Sequence, residues 1–357
     1  MKKLLTLLVA AMVLAGCSTA PAKPSETPAP TDAPVASTGL KVGVGSVTSL
    51  SVADATADKD GQVQANTTFA TVVLEGDVIK YVSIDTAQNT GKFDTKGVIT
   101  GPEDPTATPT KKEKKDAYGM KGASEIGKEW FEQIAALEEY AIGKTVAEVV
   151  GMKTYAKDDA HPAVPEVEEL KTSVTMSVGD YLKAIQVAAD NAVEVENVAK
   201  VGSGSFTSLS IADATADKDG QIQANTTFAV VALDADGKIV YSSIDTAQNT
   251  GKFSTAGVIT APEDPTLTPT KKEKKEAYGM LAASEIKKEW FEQIAAFEAY
   301  TVGKTVEEVV AMPTYDKGDG NHTDVPEVEE LKTSVTMTVG DYLKALESAA
   351  TNAVEIK

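Results

Sequence analysis

The chain has 357 residues, with 53 acidic against 34 basic side chains, a formal charge of −19, two histidines and one cysteine. So acidic a chain argues against nucleic acid as a partner and against electrostatic adhesion to anionic lipid. A lone cysteine cannot supply an intrachain disulfide, a cysteine zinc cluster, an iron–sulfur cluster or a thioether-linked haem.

Lys2 and Lys3 precede an apolar run from Leu4 to Leu14 that ends in Leu14-Ala15-Gly16-Cys17. This pattern predicts a lipoprotein signal peptide over 1–16, with cleavage before Cys17 and lipidation of its thiol. The run is shorter than the roughly 20 apolar residues of a permanent membrane span. More than one acyl chain gives stable anchoring. Loss of the two lysines takes the formal charge from −19 to −21 (−19 − 2), so lipid rather than charge must hold the chain at a membrane. Cys17 and the Pro-, Ala-, Ser- and Thr-rich residues up to 40 read as an extended linker. At about 3.1 Å per residue it reaches on the order of 70 Å.

Beyond the linker the chain repeats itself. The stretch from Ser49 to Ala70 returns at Ser208, Lys128-Glu129-Trp130-Phe131 returns at Lys288, and Val164-Pro165-Glu166 returns at Val325. The offset grows from 208 − 49 = 159 to 336 − 175 = 161, which places two single-residue insertions in turn-like stretches. A period this long predicts tandem domains, 41–196 and 197–357, each large enough to bury its own core.

Within the first copy, alternation over 46–56, a turn at Asp58-Lys59-Asp60-Gly61 and strand-like runs over 63–74 and 78–85 predict an antiparallel meander. A Pro-, Thr- and Lys-rich loop is expected over 86–115. Ser124 is placed to cap a helix reaching Tyr140, with Ile126, Trp130, Ile134 and Leu137 on one face and Gly143 past its end. A short helix follows over 145–150. The copy closes with a loop, the Thr172-Ser173-Val174-Thr175 segment and a helix over 178–193 for which Ser177 and Asp180 resemble a capping pair. The expected class is α+β: two tandem domains, each an antiparallel sheet packed against helices.

Few residues invite chemistry. His161 and His322 occupy equivalent places, lack further ligands at metal-binding spacing and read as loop imidazoles. The Lys-Lys-Glu-Lys-Lys runs at Lys111 and Lys271 read as solvated charge. Asp58-Lys59-Asp60 lacks the spaced carboxylates of a calcium loop. Trp130 and Trp290 share a helical face with Ile and Leu and are expected in the core.

The longest nearly unbroken match between the copies is E-E-L-K-T-S-V-T-M-x-V-G-D-Y-L-K-A. Here the sequence resembles the FMN-binding domain family, whose attachment motif runs, in outline, Asp-x-x-Ser/Thr-Gly-Ala-Thr. The acidic position falls on Glu169 and Glu330, the Ser/Thr position on Thr172 and Thr333, and the acceptor on Thr175 and Thr336. Glu stands in place of Asp, and Ser-Val in place of Gly-Ala. The A-Y-G-M-x-x-A-S-E-I-x-K-E-W stretches and G-K-I-V-Y-S-S-I-D from Gly237 look like those of two-domain flavinylated lipoproteins of Gram-positive type. The resemblance implies one FMN per domain, esterified through its phosphate to Thr175 and Thr336 by a flavin transferase, with Glu169 and Glu330 either read by that enzyme or helping to orient the loop. It implies an electron carrier rather than an enzyme with its own turnover. Such a carrier sits lipid-anchored on the outer face of the cytoplasmic membrane, exposed to the wall or extracellular side. It takes electrons from a quinone-linked membrane donor and passes them to ferric iron or free flavin, and the histidines are candidate contacts near the flavin. Thr175 also falls just before the predicted last helix, where unpaired N–H groups favour a phosphodiester. The rival readings are a surface lipoprotein binding a small ligand or wall polymer without covalent attachment, and a spacer or adhesin.

Overall fold

The structure, a computed structural model, describes residues 39–320 and 322–356. The predicted signal peptide, Cys17 and the linker through residue 38 lie outside the described residues.

The first copy opens with three long strands, β1 (Leu40–Ala53), β2 (Gly61–Glu75) and β3 (Val78–Phe93). They pair as an antiparallel meander, in register from Leu40↔Glu75 to Ala53↔Gln62 and from Gly61↔Phe93 to Glu75↔Val78. Gly76, at φ +64°, opens the two-residue β2–β3 turn, where primed hairpin geometry asks for positive φ. There follow β4 (Ile99–Gly101), α1 (Lys111–Lys114), α2 (Trp130–Ala141), α3 (Val146–Val150), the small hairpin β5 (Thr154–Tyr155) and β6 (Val164–Pro165), α4 (Gly179–Asp190) and β7 (Val193–Val195). The sheet order is β4-β3-β2-β1-β7.

The second copy repeats this with β8 (Lys200–Ala212), β9 (Gly220–Leu233), β10 (Ile239–Phe253), β11 (Ile259–Ala261), α5 (Lys271–Lys274), α6 (Trp290–Thr301), α7 (Val306–Val310), β12 (Thr314–Tyr315), β13 (Val325–Pro326), α8 (Gly340–Thr351) and β14 (Val354–Glu355). Its sheet runs β11-β10-β9-β8-β14, and the fold is α+β. Among the described residues no helix is long and apolar enough to cross a membrane.

Alternation along each strand sends side chains to two different cores. In β2, Ala70, Val72 and Leu74 face the helices with Trp130, Ile134, Leu137 and Ile185. Phe69 and Val73, on the opposite face, meet Phe228, Val230 and Ala232 of the other copy. The two sheets therefore pack face to face with a helical layer outside each, and the copies form one compact unit. At the far end the Phe93 and Phe253 rings stack with centroids 3.9 Å apart. The contacts are reciprocal: Ile99 N–H donates to Asp213 Oδ1 and Ile259 N–H to Asp54 Oδ1, both at 2.7 Å. Each copy thus has a core of its own plus two shared ones, and the sequence reading foresaw only the first. The outer helices lie very close to the sheets. A Cβ added to Gly43 or Gly45 would collide with the α4 backbone at Ala188, and α8 crowds Gly202 and Gly204 in the same way.

Several boundaries differ from the sequence reading. The third strand runs on to Phe93 rather than stopping at Asp85, because Gly91 lies against Ile222 and Phe93 against Phe253 of the other copy, while the Thr86 hydroxyl pairs with that of Thr68 at 2.9 Å. The long helix begins at Trp130, with Glu129 and Glu132 forming its capping box. Ser124 does not cap it; its Oγ accepts from Lys128 N–H and Gln133 Nε2 in the preceding turn. The short third helix starts at Val146 behind Thr145, as expected. The Thr172–Thr175 segment is a turn running into a loop, and Ser177 does not cap the last helix, because its Oγ takes the Ala163 N–H at 3.1 Å.

Candidate functional site: the threonine loops and the clefts between the copies

Each threonine loop is held by a glutamine from the long helix. Gln133 is fully buried; its Nε2 donates to Ser124 Oγ and Lys128 O, and its Oε1 accepts the Thr175 N–H at 2.9 Å. Leu170 O accepts from both Ser173 N–H and Val174 N–H, closing a tight turn that buries Val174 and turns its neighbours outward. Gln293 does the same for Thr336, at the same 2.9 Å. Thr175 is half-buried on the wall of a cavity of about 290 Å³, with Tyr155, Val164, Pro165, Glu166, Lys171 and Val174 around it. Lys171 is already paired with Glu168 at 2.5 Å. The second loop keeps the matching residues Tyr315, Val325, Pro326 and Lys332, the last paired with Glu329.

The other residues singled out in the sequence are not gathered there. Glu169, Thr172, Glu330 and Thr333 are exposed, and neither Glu169 nor Thr172 lines the cavity beside Thr175. His161 Nδ1 lies 2.7 Å from Asp158 in its own loop, and His322 Nδ1 lies 2.6 Å from Asp319. Neither histidine joins the Thr175 cavity, and among the described residues no cluster of three or more His, Cys, Asp or Glu side chains could hold a metal. Trp130 and Trp290 are core residues whose indole N–H groups donate to Tyr181 and Tyr342 at 2.8 Å.

The sequence reading missed a second constellation. The first two lysines of each run are engaged with the fold, whereas Lys115 and Lys275 are exposed as expected. Thr110 and Glu113 form a capping box that fixes α1, and Lys111 is thereby laid over the Tyr118 and Trp130 rings at 5.0 and 5.5 Å. Lys112 Nζ reaches Glu138 Oε1 at 2.6 Å and Ser83 Oγ at 3.2 Å, and its N–H donates to Asp85 Oδ1 at 3.1 Å. Glu138 also accepts the Ile84 N–H, at 2.6 Å. Burial sets the protonation. It pushes the Asp85 carboxyl up to about 6 against the pull of Thr110 and Lys112, raises that of Glu138, and pushes the Lys111 ammonium down to about 8. The second copy repeats the arrangement: Lys272 pairs with Glu298 at 2.6 Å, burial brings Asp245 to about 6 and Lys271 falls to about 8. The signals were Thr110-x-x-Glu113, a capping spacing, and Glu138, one turn from Ile134 on the apolar face of its helix.

Each constellation opens on a cleft between the copies. One, of about 840 Å³, lies between β3 and the β8–α8 wall; the other, of about 450 Å³, lies between β10 and the β1–α4 wall.

No family description matches the chain, and no solved structure matches it. Among curated proteins, a 40-residue stretch is 65% identical to a chlorophenol reductase of Desulfitobacterium hafniense. It covers 11% of this chain and 12% of that protein, so the chain spans about an eighth of the length of the relative it matches.

Proposed function

We propose that the protein is a membrane-tethered electron carrier that holds covalent FMN on Thr175 and Thr336, one in each copy. The observation that carries this reading is the setting of Thr175. Its amide is fixed by Gln133, and it stands beside a cavity with an apolar wall of Tyr155, Val164 and Pro165. A phosphoester needs a hydroxyl, and an isoalloxazine needs a flat apolar surface, so the residues present suit the group. FMN would supply one- and two-electron redox chemistry, while the protein's part is attachment, orientation and shielding. Gln133 would keep the attachment point rigid. Tyr155 and Pro165 would offer the ring a face, and Lys171 would lie near the phosphodiester. Lipid at Cys17 would tether the carrier to the outer face of the cytoplasmic membrane, within reach of a quinone-linked donor, with ferric iron or free flavin as acceptors.

The test is co-expression of the mature chain with a flavin transferase, followed by a denaturing gel and intact mass. Yellow fluorescence and a gain of two FMN groups are expected. Thr175→Val should lose one group, and Thr175→Val with Thr336→Val should lose both. A colourless wild-type protein of unmodified mass would refute the reading.

A further inference from the structure

The clefts between the copies carry an inference independent of the threonine loops. Even-numbered residues of β1 point toward the other copy: Val42 and Val44 enter the shared core, and Ser46 is next in line. Ser46 ends in the smaller cleft, is 7% exposed, and its Oγ is buried with no hydrogen-bond partner. A buried hydroxyl left unpaired is costly, and such a group in a native fold asks for a partner that the chain does not supply.

The facing wall is polar, and of its groups Ser243 Oγ and Asp245 Oδ1 already accept from Lys272. Tyr241, Ser243 and Asp245 line the cleft from successive same-face positions of β10, and Phe228 is also part of its lining. Asn191 gives its Nδ2 to Val44 O at 3.1 Å, which leaves its own carbonyl oxygen for other donors. The larger cleft repeats the pattern with Tyr81, Ser83 and Asp85 against Ser205, and with Asn352 Nδ2 on Ser203 O at 3.0 Å.

Charge decides what kind of ligand suits them. The smaller cleft is lined by Asp245, Glu273 and Glu298 with Lys272 and Lys275, and the larger by Asp85, Glu113, Glu138 and Glu347 with Lys112, Lys115 and Lys344. Each lining sums to −1 (−3 + 2 and −4 + 3), which disfavours an anion. In the smaller cleft all three carboxylates already accept hydrogen bonds from the chain, which leaves a cation little to gain.

We propose that the two clefts bind uncharged polyhydroxylated ligands of the saccharide class, with Ser46 and Tyr241 as direct contacts in the smaller. The volumes suit small ligands, and the larger cleft has room for a longer oligosaccharide.

The test is calorimetric titration of the mature chain with glucose, N-acetylglucosamine and their β1,4-linked disaccharides, with inorganic phosphate and free lysine as charged controls. Saccharide binding is expected that changes little with added salt. At the smaller cleft, Ser46→Ala and Tyr241→Phe should each weaken it about tenfold, the loss of one hydrogen bond to the ligand. The melting temperature of ligand-free Ser46→Ala should not fall, since that change deletes an unpaired group. Three results would overturn the proposal: no heat with any of the sugars at millimolar concentration, tighter binding of phosphate or lysine than of sugar, or sugar affinity untouched in both variants.

Discussion

Replacing Asp245 by Asn should stabilise the protein at neutral pH and leave it unchanged in acid. Asp245 is 8% exposed, and burial is the largest influence on its carboxyl, outweighing Thr270 and Lys272 and moving it from 3.8 to about 6. A shift of about two units at ~1.4 kcal/mol each makes the ionised form cost roughly 3 kcal/mol in the fold. The sign follows from proton binding. Between about pH 4 and 6 the native state binds the proton that the unfolded chain has released, so this group's contribution is fully present below pH 3.8 and lost as pH rises through 6. Asparagine keeps an oxygen for the Thr246 and Lys272 N–H groups that Asp245 now accepts, and it imitates the protonated acid at every pH. Urea unfolding followed by the fluorescence of buried Trp130 and Trp290 gives stability against pH for both proteins. The difference curve should be near zero at pH 4, climb through pH 5–6 and level off at roughly 2–3 kcal/mol in favour of the variant. A flat difference, or a variant less stable at pH 7, would show that Lys271 and Lys272 more than repay the burial of the charge.

Two further outcomes follow from the packing. Phe253→Ala removes one ring of the Phe93 stack that joins the copies and should cost about 3–5 kcal/mol. The thermal transition should move down as a whole, because the copies share cores; a calorimetric trace that splits into two, with one half unmoved, would contradict the single unit. Lys272→Met strands the buried Glu298 carboxylate and should cost about 3 kcal/mol or more, whereas Lys272→Met with Glu298→Gln should recover most of that. Equal destabilisation of the single and double variants in denaturant would argue that the lysine stem, not its charge, holds the site.

The meander was legible because strands buried on one face alternate, and the runs over 46–56 and 63–74 do so visibly. Its continuation through Thr86, Gln88 and Thr90 was not, since one face of that stretch is polar and the other meets a partner sheet that hydropathy along a single strand cannot reveal. The tryptophan cores were read correctly from helical spacing. The long helix was started too early because Ser124 has the better intrinsic cap chemistry, whereas the actual N-cap is Glu129, whose carboxylate also takes the Met120 and Lys121 N–H groups. The threonine loops were found as a motif, yet Gln133, which anchors one of them, lies 42 residues away in sequence. The clefts were invisible for a deeper reason. Their walls belong to different copies, and only the packing of one sheet on the other brings Ser46 opposite Tyr241.

The two copies have not been held alike everywhere, and where they differ is informative. Lys171-Thr172-Ser173-Val174-Thr175-Met176 is identical to Lys332–Met337, and the anchoring glutamines and serines match. The cleft walls contributed by β1 and α4 have diverged from those of β8 and α8: Val44 stands where Ser203 does and Val187 where Ser348 does. Such exchanges on a wall of this size change both its volume and its hydrogen-bonding capacity, and the clefts measure about 450 and 840 Å³. Identical loops suit one task performed twice, as two copies of a single attached group would require. Unequal walls around the same Tyr-Ser-Asp-Lys-Glu set suit two ligands of one chemistry and different length. Each cleft exists only while the sheets stay packed, so occupancy of either should also raise the cooperative stability of both copies.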